Sequence, residues 1–184
     1  MEREVVVGIT GASGICYARR LLDVLSRSAT VHVIISDVAQ KIASHEGVDL
    51  AGFPVHYYGN DRLFAPFASG SCRYDGMVIV PCSQKTLAAI AHGYSDNLIT
   101  RTADVCLKER RPLILVPREM PLSEVHLSNM LAAHRAGATI MPASPPFYHL
   151  PETIDDLVDM VVARILDHLR IEHTLATRWG GQDA

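Results

Sequence analysis

A glycine-rich turn near the start of the chain is the first stretch whose residue types suggest chemistry. Residues 5–22 read VVVGITGASGICYARRLL, so Gly8, Gly11 and Gly14 lie between an apolar run and a candidate helix. Glycine adopts positive φ angles and lets a ligand approach the backbone, and the first free amides of a helix attract an anion. The turn therefore predicts a phosphate site. Its G-x-x-G-x-x-G spacing differs from the dinucleotide pattern G-x-G-x-x-G, so the turn alone does not identify the phosphate compound.

Several cations and one tyrosine are candidates for holding a second anion. In the segment SDNLITRTADVCLKERR, the spacing of Arg101, Asp104 and Lys108 puts all of them on one face of a predicted helix. Either Asp104 pairs with both cations on a solvated surface, or the cations grip a phosphate beyond the reach of the glycine turn. Arg164 borders the apolar stripe of the last predicted helix, where it either extends into solvent or binds an anion. Tyr148, which follows two prolines, either fills the core or contacts a ligand.

Composition narrows the classes of protein to consider. The chain has 184 residues, of which 48% are hydrophobic and 20% charged, so we expect one domain over 1–184. A net charge of -3 gives no field that favours nucleic acid or an anionic membrane. The N-terminus lacks the features of a leader peptide, and no uncharged run reaches about 18 residues, which predicts a cytoplasmic protein. The 4 scattered cysteines and 9 histidines form no disulfide framework and no metal-binding motif, so we predict reduced thiols and no metal.

Short apolar runs alternate with helical patterns along the chain. The runs lie at 5–10, 30–35, 76–80, 113–116 and 138–141, and the helical patterns cover 14–26, 38–44, 84–91, 96–109, 123–136 and 154–170. Such alternation predicts a three-layer α/β fold of the Rossmann-like or flavodoxin-like kind, in which helices cover both faces of a parallel sheet. The segment 63–73, LFAPFASGSCR, is predicted to be an irregular loop that meets a ligand or a subunit.

Ligands of such sheets bind outside the carboxyl ends of the strands, so the residues that follow each apolar run are the informative ones. They are mostly small hydroxyl residues, with a basic residue, an acid and an aromatic ring: Gly11 to Gly14, Ser36 and Asp37, Cys82 to Thr86, Arg118 and Glu119, and Ser144 to Tyr148. This set favours a phosphorylated, partly aromatic ligand. Ser13 and Ser83 have an alternative role, since serine also caps helices.

Taken together, the motifs resemble one enzyme family over nearly the whole chain. Residues 5–22, 78–119 and 139–179 are similar to the UbiX-type flavin prenyltransferases, through GASG, PCS, SDNLI-x-R, LKERRPL-x-LV-x-RE and P-x-FYH-x-P. The version CSQKTLAAIAHGYSDNLITR most resembles the branch associated with phenolic-acid decarboxylases.

The resemblance implies a reaction and an assembly. Members of this family bind flavin mononucleotide (FMN) and join a dimethylallyl group from dimethylallyl monophosphate to the reduced flavin. The product, prenylated FMN, serves UbiD-type decarboxylases. Members form homo-oligomers, usually dodecamers, whose sites are completed by neighbouring chains. The tail 171–184 is then expected to pack on a neighbouring subunit.

The resemblance also implies roles for individual residues. The flavin-binding positions are Gly11, Ala12, Ser13, Ser36, Ser83, Gln84, Lys85, Thr86 and Arg118. The positions that bind the prenyl phosphate are Arg101, Lys108, Tyr148 and Arg164, and the catalytic positions are Ser13, Glu46, Glu119 and Trp179. The pair Gln84-Lys85 departs from the small Thr-Gly pair of many members, which leaves the flavin contacts of that turn open.

The chemistry of the reaction accounts for this residue set. A monophosphate leaves an allylic carbon only if cations and hydroxyls stabilise the departing charge. Ring closure on the flavin requires a base, for which Glu119 and Glu46 are the candidates. No metal is expected, since Asp155-Asp156 lacks the spacing of a D-D-x-x-D motif.

Alternative functions remain open at this level. A flavoprotein that decarboxylates cysteine shares the predicted fold, but the set of phosphate-binding residues argues against it. Asp37 suits a nicotinamide dehydrogenase, whereas the glycine spacing does not. A non-catalytic flavin carrier would not need the phosphate-binding residues.

Overall fold

The computed structural model describes residues 3–175, which form a parallel sheet between two helical layers. Its six strands are β1 (Arg3–Ile9), β2 (Ala29–Ile35), β3 (His56–Gly59), β4 (Gly76–Cys82), β5 (Leu113–Pro117) and β6 (Thr139–Ile140). Its α-helices are α1 (Ile15–Leu25), α2 (Asp37–Glu46), α3 (Gln84–Ala91), α4 (Leu98–Lys108), α5 (Glu124–Ala136) and α6 (Ile154–Leu169). A 3₁₀ turn covers Pro66–Ala68.

The strand order brings the start and the middle of the chain together. The sheet runs β3-β2-β1-β4-β5-β6, and every pair of neighbours is parallel. Chain order therefore reverses between β1 and β4, which pair directly. A crevice forms at such a switch point, outside the carboxyl ends of the two strands. The predicted three-layer Rossmann-like fold is confirmed.

Each face of the sheet has its own core because side chains alternate along a strand. Val5, Val7 and Ile9 of β1 pack in the cluster that includes α1, α2 and α6. Val6 of β1 packs in the opposite cluster, which includes α3, α4 and Ala133 of α5. The two helical layers are consequently separated by the full thickness of the sheet.

Helix boundaries follow local capping chemistry. Side-chain oxygens of Ser36, Asn97, Ser123 and Thr153 accept hydrogen bonds from backbone amides in the first turns of α2, α4, α5 and α6. Such caps satisfy amides that have no partner within the helix. The predicted start of the last helix at residue 154 is confirmed, and the other predicted helix starts lie within two residues of the observed ones.

One strand of the sheet has no counterpart among the predicted apolar runs. Strand β3, His56–Gly59, lies at the edge of the sheet and is mostly exposed, so it has no apolar run. The segment 63–73, predicted to be irregular, contains the 3₁₀ turn, and its Phe67 is 1% exposed. Local apolar patterning therefore underestimated how much tertiary packing orders this region.

The end of the described chain packs on its own domain. Ile171 is buried in the cluster of α1 and α6, and Leu175 packs against it. The contact of the tail 171–184 with a neighbouring subunit stays a prediction, and residues 176–184, Trp179 among them, lie outside the described residues. Within 3–175, no helix is long and apolar enough to span a bilayer.

Candidate active site

The glycine turn follows β1 at the reversal of strand order and leads into α1. A methyl group on Gly11 would lie 2.6 Å from Cγ1 of Val38, so no larger residue fits there without displacing α2. Gly14 is the N-cap of α1 and has φ 102°, a left-handed conformation that glycine adopts without strain. The turn is therefore close-packed, and glycine is required at both positions.

Glu46 provides the anion for the amides of this turn. Its carboxylate accepts hydrogen bonds from the Gly14 amide at 3.0 Å and from the Ile15 amide at 2.9 Å. Glu46 is the last residue of α2, which places the carboxylate at the N-terminus of α1. The glycine spacing predicts a ligand phosphate at this turn. In the structure the chain's own carboxylate accepts from the Gly14 and Ile15 amides, and the phosphate site of the turn stays a prediction.

The environment of Glu46 keeps it ionised. Partial burial disfavours the charge, but hydrogen bonds from the Ser13 side chain and from the Gly14 and Ile15 amides, with the charge of Arg118, lower the pKa of Glu46. Arg118 follows β5, and its Nε donates a hydrogen bond to the Ser13 carbonyl at 3.3 Å. The structure thus brings together Ser13, Glu46 and Arg118, three of the predicted site residues.

Thr10 joins the glycine turn to the turn after β4. Its Oγ1 donates a hydrogen bond to the Pro81 carbonyl at 2.8 Å and accepts one from the Ser83 amide at 2.7 Å. Thr10 is 2% exposed, so these bonds form away from solvent. The apolar pattern predicts Thr10 only as the end of a strand. The sequence feature that indicates a linking role is a hydroxyl residue at the end of an otherwise aliphatic run.

The predicted hydroxyl residues cap helices at the same edge. The Ser83 hydroxyl accepts from the Thr86 amide at 3.3 Å and donates to Thr86 Oγ1 at 3.0 Å. The Ser36 hydroxyl accepts from the Ala39 amide at 3.2 Å. The capping interpretation of Ser83 is therefore confirmed. Both hydroxyls nonetheless lie beside the glycine turn, because Ser36 donates its amide to the Ile9 carbonyl and Ser83 is bound to Thr10.

Gln84 carries buried polar atoms that lack a partner among the described residues. Both Nε2 and Oε1 of its side chain are buried without a hydrogen bond. Gln84 is the first residue of α3, next to Ser83. Burying an amide without a partner is costly, so its presence at this edge points to a polar group that the described chain does not supply.

The cations of α4 interact with acids and with the 63–73 segment. Arg101 pairs with Asp104 at 3.0 Å and donates through Nε to the Ala68 carbonyl at 3.1 Å. Lys108 pairs with Glu109 at 2.6 Å rather than with Asp104. The surface interpretation is confirmed for Arg101 with Asp104. The Arg101 guanidinium and the Lys108 ammonium are on partly exposed side chains, so an anion from solvent can reach them.

Arg164 lies apart from the cations of α4, and the predicted residues that follow β5 and β6 are exposed. Arg164 is on α6, on the opposite face of the sheet, and pairs with Asp167 at 2.7 Å. Tyr148 is 54% exposed and contacts His149 edge-on, so it does not fill the core. Glu119 is exposed next to Arg118, and its Oε1 accepts from the Met120 amide at 3.3 Å. Within one chain the structure does not bring Arg164 to Arg101 and Lys108.

Fold and site together define a Rossmann-like protein whose polar side chains gather at the reversal of strand order. Comparisons with known proteins then identify the family to which the chain belongs. Residues 1–166 match the family model described as Flavoprotein. A protein of Methanocaldococcus jannaschii, named flavin prenyltransferase UbiX, is 50% identical over 181 residues, which cover 96% of this chain and 98% of the relative. A protein of the same name from Pseudomonas aeruginosa is 46% identical, covering 97% of this chain and 94% of the relative.

Solved structures agree with these relatives. AnUbiX (PadA1) in complex with FMN and dimethylallyl pyrophosphate superposes with a TM-score of 0.93 at 43% identity, covering 100% of both chains. A dodecameric FMN-dependent UbiX-like decarboxylase from Escherichia coli O157:H7 gives a TM-score of 0.92 at 44% identity, over 97% of this chain and 100% of that one. This chain therefore belongs to the flavoprotein family and, within it, to the UbiX flavin prenyltransferases.

We expect Thr10→Val to weaken both the fold and flavin binding, because it leaves the Ser83 amide without its acceptor. The free energy of unfolding should fall by about 1–3 kcal/mol. The Kd for FMN should rise about tenfold, which corresponds to 1.4 kcal/mol. Thermal unfolding and flavin fluorescence titration measure the two effects. Thr10→Ser keeps the hydroxyl and should bind FMN nearly as the parent does. Normal FMN binding by the valine variant would contradict the role given to Thr10.

Glu46→Gln should reduce stability in a pH-dependent way. Since the folded-state pKa of Glu46 lies below its ordinary value of 4.5, its ionised form stabilises the fold above that pH. The stabilisation is lost as the pH falls through the folded-state pKa. We expect a difference of about 1 kcal/mol from the parent at neutral pH, disappearing in acid.

Thermal unfolding of parent and variant between neutral pH and about pH 3 tests this, since that window spans the carboxyl titration. Glu152→Gln is the matched control, because Glu152 is an exposed carboxylate of the same charge. Its difference from the parent should stay flat with pH. An equally flat difference for Glu46→Gln would count against the assigned role of the carboxylate.

Proposed function

We propose that this chain transfers a dimethylallyl group from dimethylallyl monophosphate to reduced FMN, and that the prenylated FMN serves a UbiD-type decarboxylase. One observation carries the proposal. Through Thr10, the glycine turn and the turn after β4 form a single surface at the reversal of strand order, with Glu46 and Arg118 beside it. The similarity to the UbiX relatives supports the same assignment.

The residues present fit FMN. Gly11 packs directly against Val38, so the turn brings its backbone to the crevice edge without a side chain of its own. The buried amide of Gln84 offers both a donor and an acceptor, as the polar edge of a flavin ring requires. We propose that Gly11, Ala12, Ser13, Ser36, Gln84 and Arg118 contact the flavin.

We propose that the FMN phosphate binds at the N-terminus of α3 rather than at that of α1. The amides of Gly14 and Ile15 are occupied by Glu46, and a second anion there would be repelled by its charge. The amides of Gln84 and Lys85 in the first turn of α3 have no acceptor within the helix. The hydroxyls of Ser83 and Thr86 and the ammonium of Lys85 would complete that site.

We propose that Arg101, Lys108, Arg164 and Tyr148 bind the phosphate of the prenyl donor. Cations that hold a departing phosphate more strongly than the ester lower the barrier to breaking the allylic carbon–oxygen bond. Reduced FMN supplies the nucleophilic nitrogen and the neighbouring aromatic carbon of the ring that forms. Trp179 is proposed to close the site and exclude water, which would quench an allylic cation.

The opposite positions of these cations require more than one chain in the site. Arg101 and Lys108 lie in the layer of α3 and α4, whereas Arg164 lies in the layer of α1 and α6. We propose that a neighbouring chain of a homo-oligomer supplies Arg164. The dodecameric relative from Escherichia coli supports this arrangement. Exposed apolar side chains available for contact between chains include Phe64, Met120, Phe147, Leu150 and Ile154.

Of the two candidate bases, we propose that Glu119 accepts the proton during ring closure. The lowered pKa of Glu46 and its hydrogen bonds to the amides of α1 make it a weak proton acceptor. Glu119 is exposed at the same edge, next to Arg118. Glu46 then acts by fixing the glycine turn and by holding the Ser13 hydroxyl.

The decarboxylase alternative rests on fold alone. The peptidyl-cysteine decarboxylase EpiD gives a TM-score of 0.63 at 16% identity, and the cysteine decarboxylase TvaF 0.65 at 18%. Likeness at that level indicates a shared architecture. The flavin-carrier alternative shares every flavin contact with the proposed enzyme and differs only in turnover, so it is an outcome of the experiment that follows.

Anaerobic incubation with reduced FMN and dimethylallyl monophosphate should yield a flavin heavier by one five-carbon unit. Mass spectrometry of the extracted flavin measures it, and the same mixture with oxidised FMN is the control. A parallel reaction with the diphosphate donor defines the preferred leaving group. Unmodified flavin, once tight binding and full reduction are confirmed, would favour the carrier.

Arg101→Ala should impair use of the donor while FMN stays bound. We expect kcat/KM for dimethylallyl monophosphate to fall about a hundredfold, because a charge that stabilises the leaving phosphate is lost. The Kd for FMN should change less than about twofold, a difference below 0.5 kcal/mol. Arg135→Ala, which removes an exposed arginine from α5, is the matched control. Equal loss of FMN binding and donor use would mean that Arg101 holds the flavin instead.

A further inference from the structure

Arg111 has not been given a role so far. It holds the segment 63–73, which contacts both cations of α4, Arg101 and Lys108. Its Nη2 donates to the Gly70 carbonyl at 2.8 Å. Its guanidinium carbon lies 4.4 Å from the centroid of the Tyr74 ring. Tyr74 is 7% exposed and accepts a hydrogen bond from the Cys106 thiol of α4 at 3.5 Å. Arg111 therefore ties Gly70 to a buried part of the domain.

The cations of α4 are both in contact with this same segment. Arg101 donates to the carbonyl of Ala68, two residues before Gly70. The ammonium of Lys108 lies directly over Gly70, where an added methyl group would be 2.7 Å from Nζ and would overlap the Glu109 carboxylate. Any displacement of residues 68–70 would consequently displace both cations.

The other end of the segment is fixed independently of Arg111. Phe67 is buried, and its ring lies 4.9 Å from that of Tyr58 and 5.4 Å from that of His32. Residues 68–70 are thus held at one end by the buried ring of Phe67 and at the other by the hydrogen bond from Arg111. The remaining terminal nitrogen of Arg111, Nη1, is buried without an acceptor within residues 3–175.

We propose that Arg111 is a positioning residue for the donor phosphate, which it controls by holding Gly70 under Lys108 and, through residues 68–70, the Ala68 carbonyl against Arg101. The inference rests on the proposed function, since it assumes that these cations bind the donor. Arg111 contacts neither donor nor flavin in this arrangement. Gly70 is the second positioning element, because a Cβ there would lie 2.7 Å from the Lys108 Nζ and would make that side-chain end move.

Donor binding without turnover tests the proposal. The protein is loaded with oxidised FMN, and dimethylallyl monophosphate is titrated by calorimetry. Arg111→Gln should raise the Kd for the donor about tenfold, equivalent to 1.4 kcal/mol, while the Kd for FMN stays within about twofold. Arg111→Lys, which keeps the charge but not the planar fork, should fall between the parent and Arg111→Gln. Arg110→Gln is the matched control, since Arg110 is the exposed neighbour with the same charge.

A second variant keeps the test independent of the stability of Arg111→Gln. Gly70→Ala leaves Arg111 intact and displaces Lys108, so it should weaken donor binding in the same way. Thermal unfolding of each variant identifies general destabilisation. Unchanged donor affinity in both Arg111→Gln and Gly70→Ala would overturn the inference, as would parallel loss of FMN and donor. Absence of prenylated FMN from the parent protein would instead reject the proposed function.

Discussion

The hydroxyl of Thr10 is the interaction on which the arrangement of the site depends. At the reversal of strand order the chain leaves β1 and β4 in opposite directions, towards α1 and α3. The backbone provides one link between the two departing turns, from the Thr10 amide to the Pro81 carbonyl at 3.2 Å, and the Thr10 side chain fixes the turns further. Thr10 does so by bonding to the Pro81 carbonyl and the Ser83 amide from within the buried end of β1. Because the bonds are shielded from water, losing one leaves a buried group unsatisfied.

The Glu46 carboxylate occupies one of the anion-binding helix N-termini at this edge of the sheet. The N-termini of α1, α2 and α3 lie at this edge, and each favours a negative charge. The carboxylate of Glu46 satisfies that of α1, where it also draws the Ser13 hydroxyl and the Arg118 charge into one cluster. In the proposed arrangement the N-terminus of α3 binds the ligand phosphate. An acid placed at the end of α2 therefore holds the conformation of the glycine turn.

The sheet itself explains why one chain does not form the whole donor site. Helices α3 and α4 pack on one face of the sheet and α6 on the other, so the cations of α4 and Arg164 are separated by a complete layer of buried side chains. Bringing Arg164 to Arg101 and Lys108 requires a second copy. The exposed aromatic and aliphatic side chains near residues 64, 120 and 147–154 offer the apolar surface that such contacts bury. Assembly and catalysis are coupled in this proposal.

The sequence by itself determined the layered fold, the approximate helix boundaries and the family. These follow from local patterns, because strand and helix periodicity and capping residues act over a few neighbouring positions. Strand β3 was not predicted, because an exposed edge strand carries no apolar run. Only the tertiary structure decided that Glu46 occupies the amides of Gly14 and Ile15, that Thr10 links two turns, and that Arg111 holds Gly70. Each of these contacts joins residues more than thirty positions apart, and long-range pairing leaves no periodic trace in a single sequence.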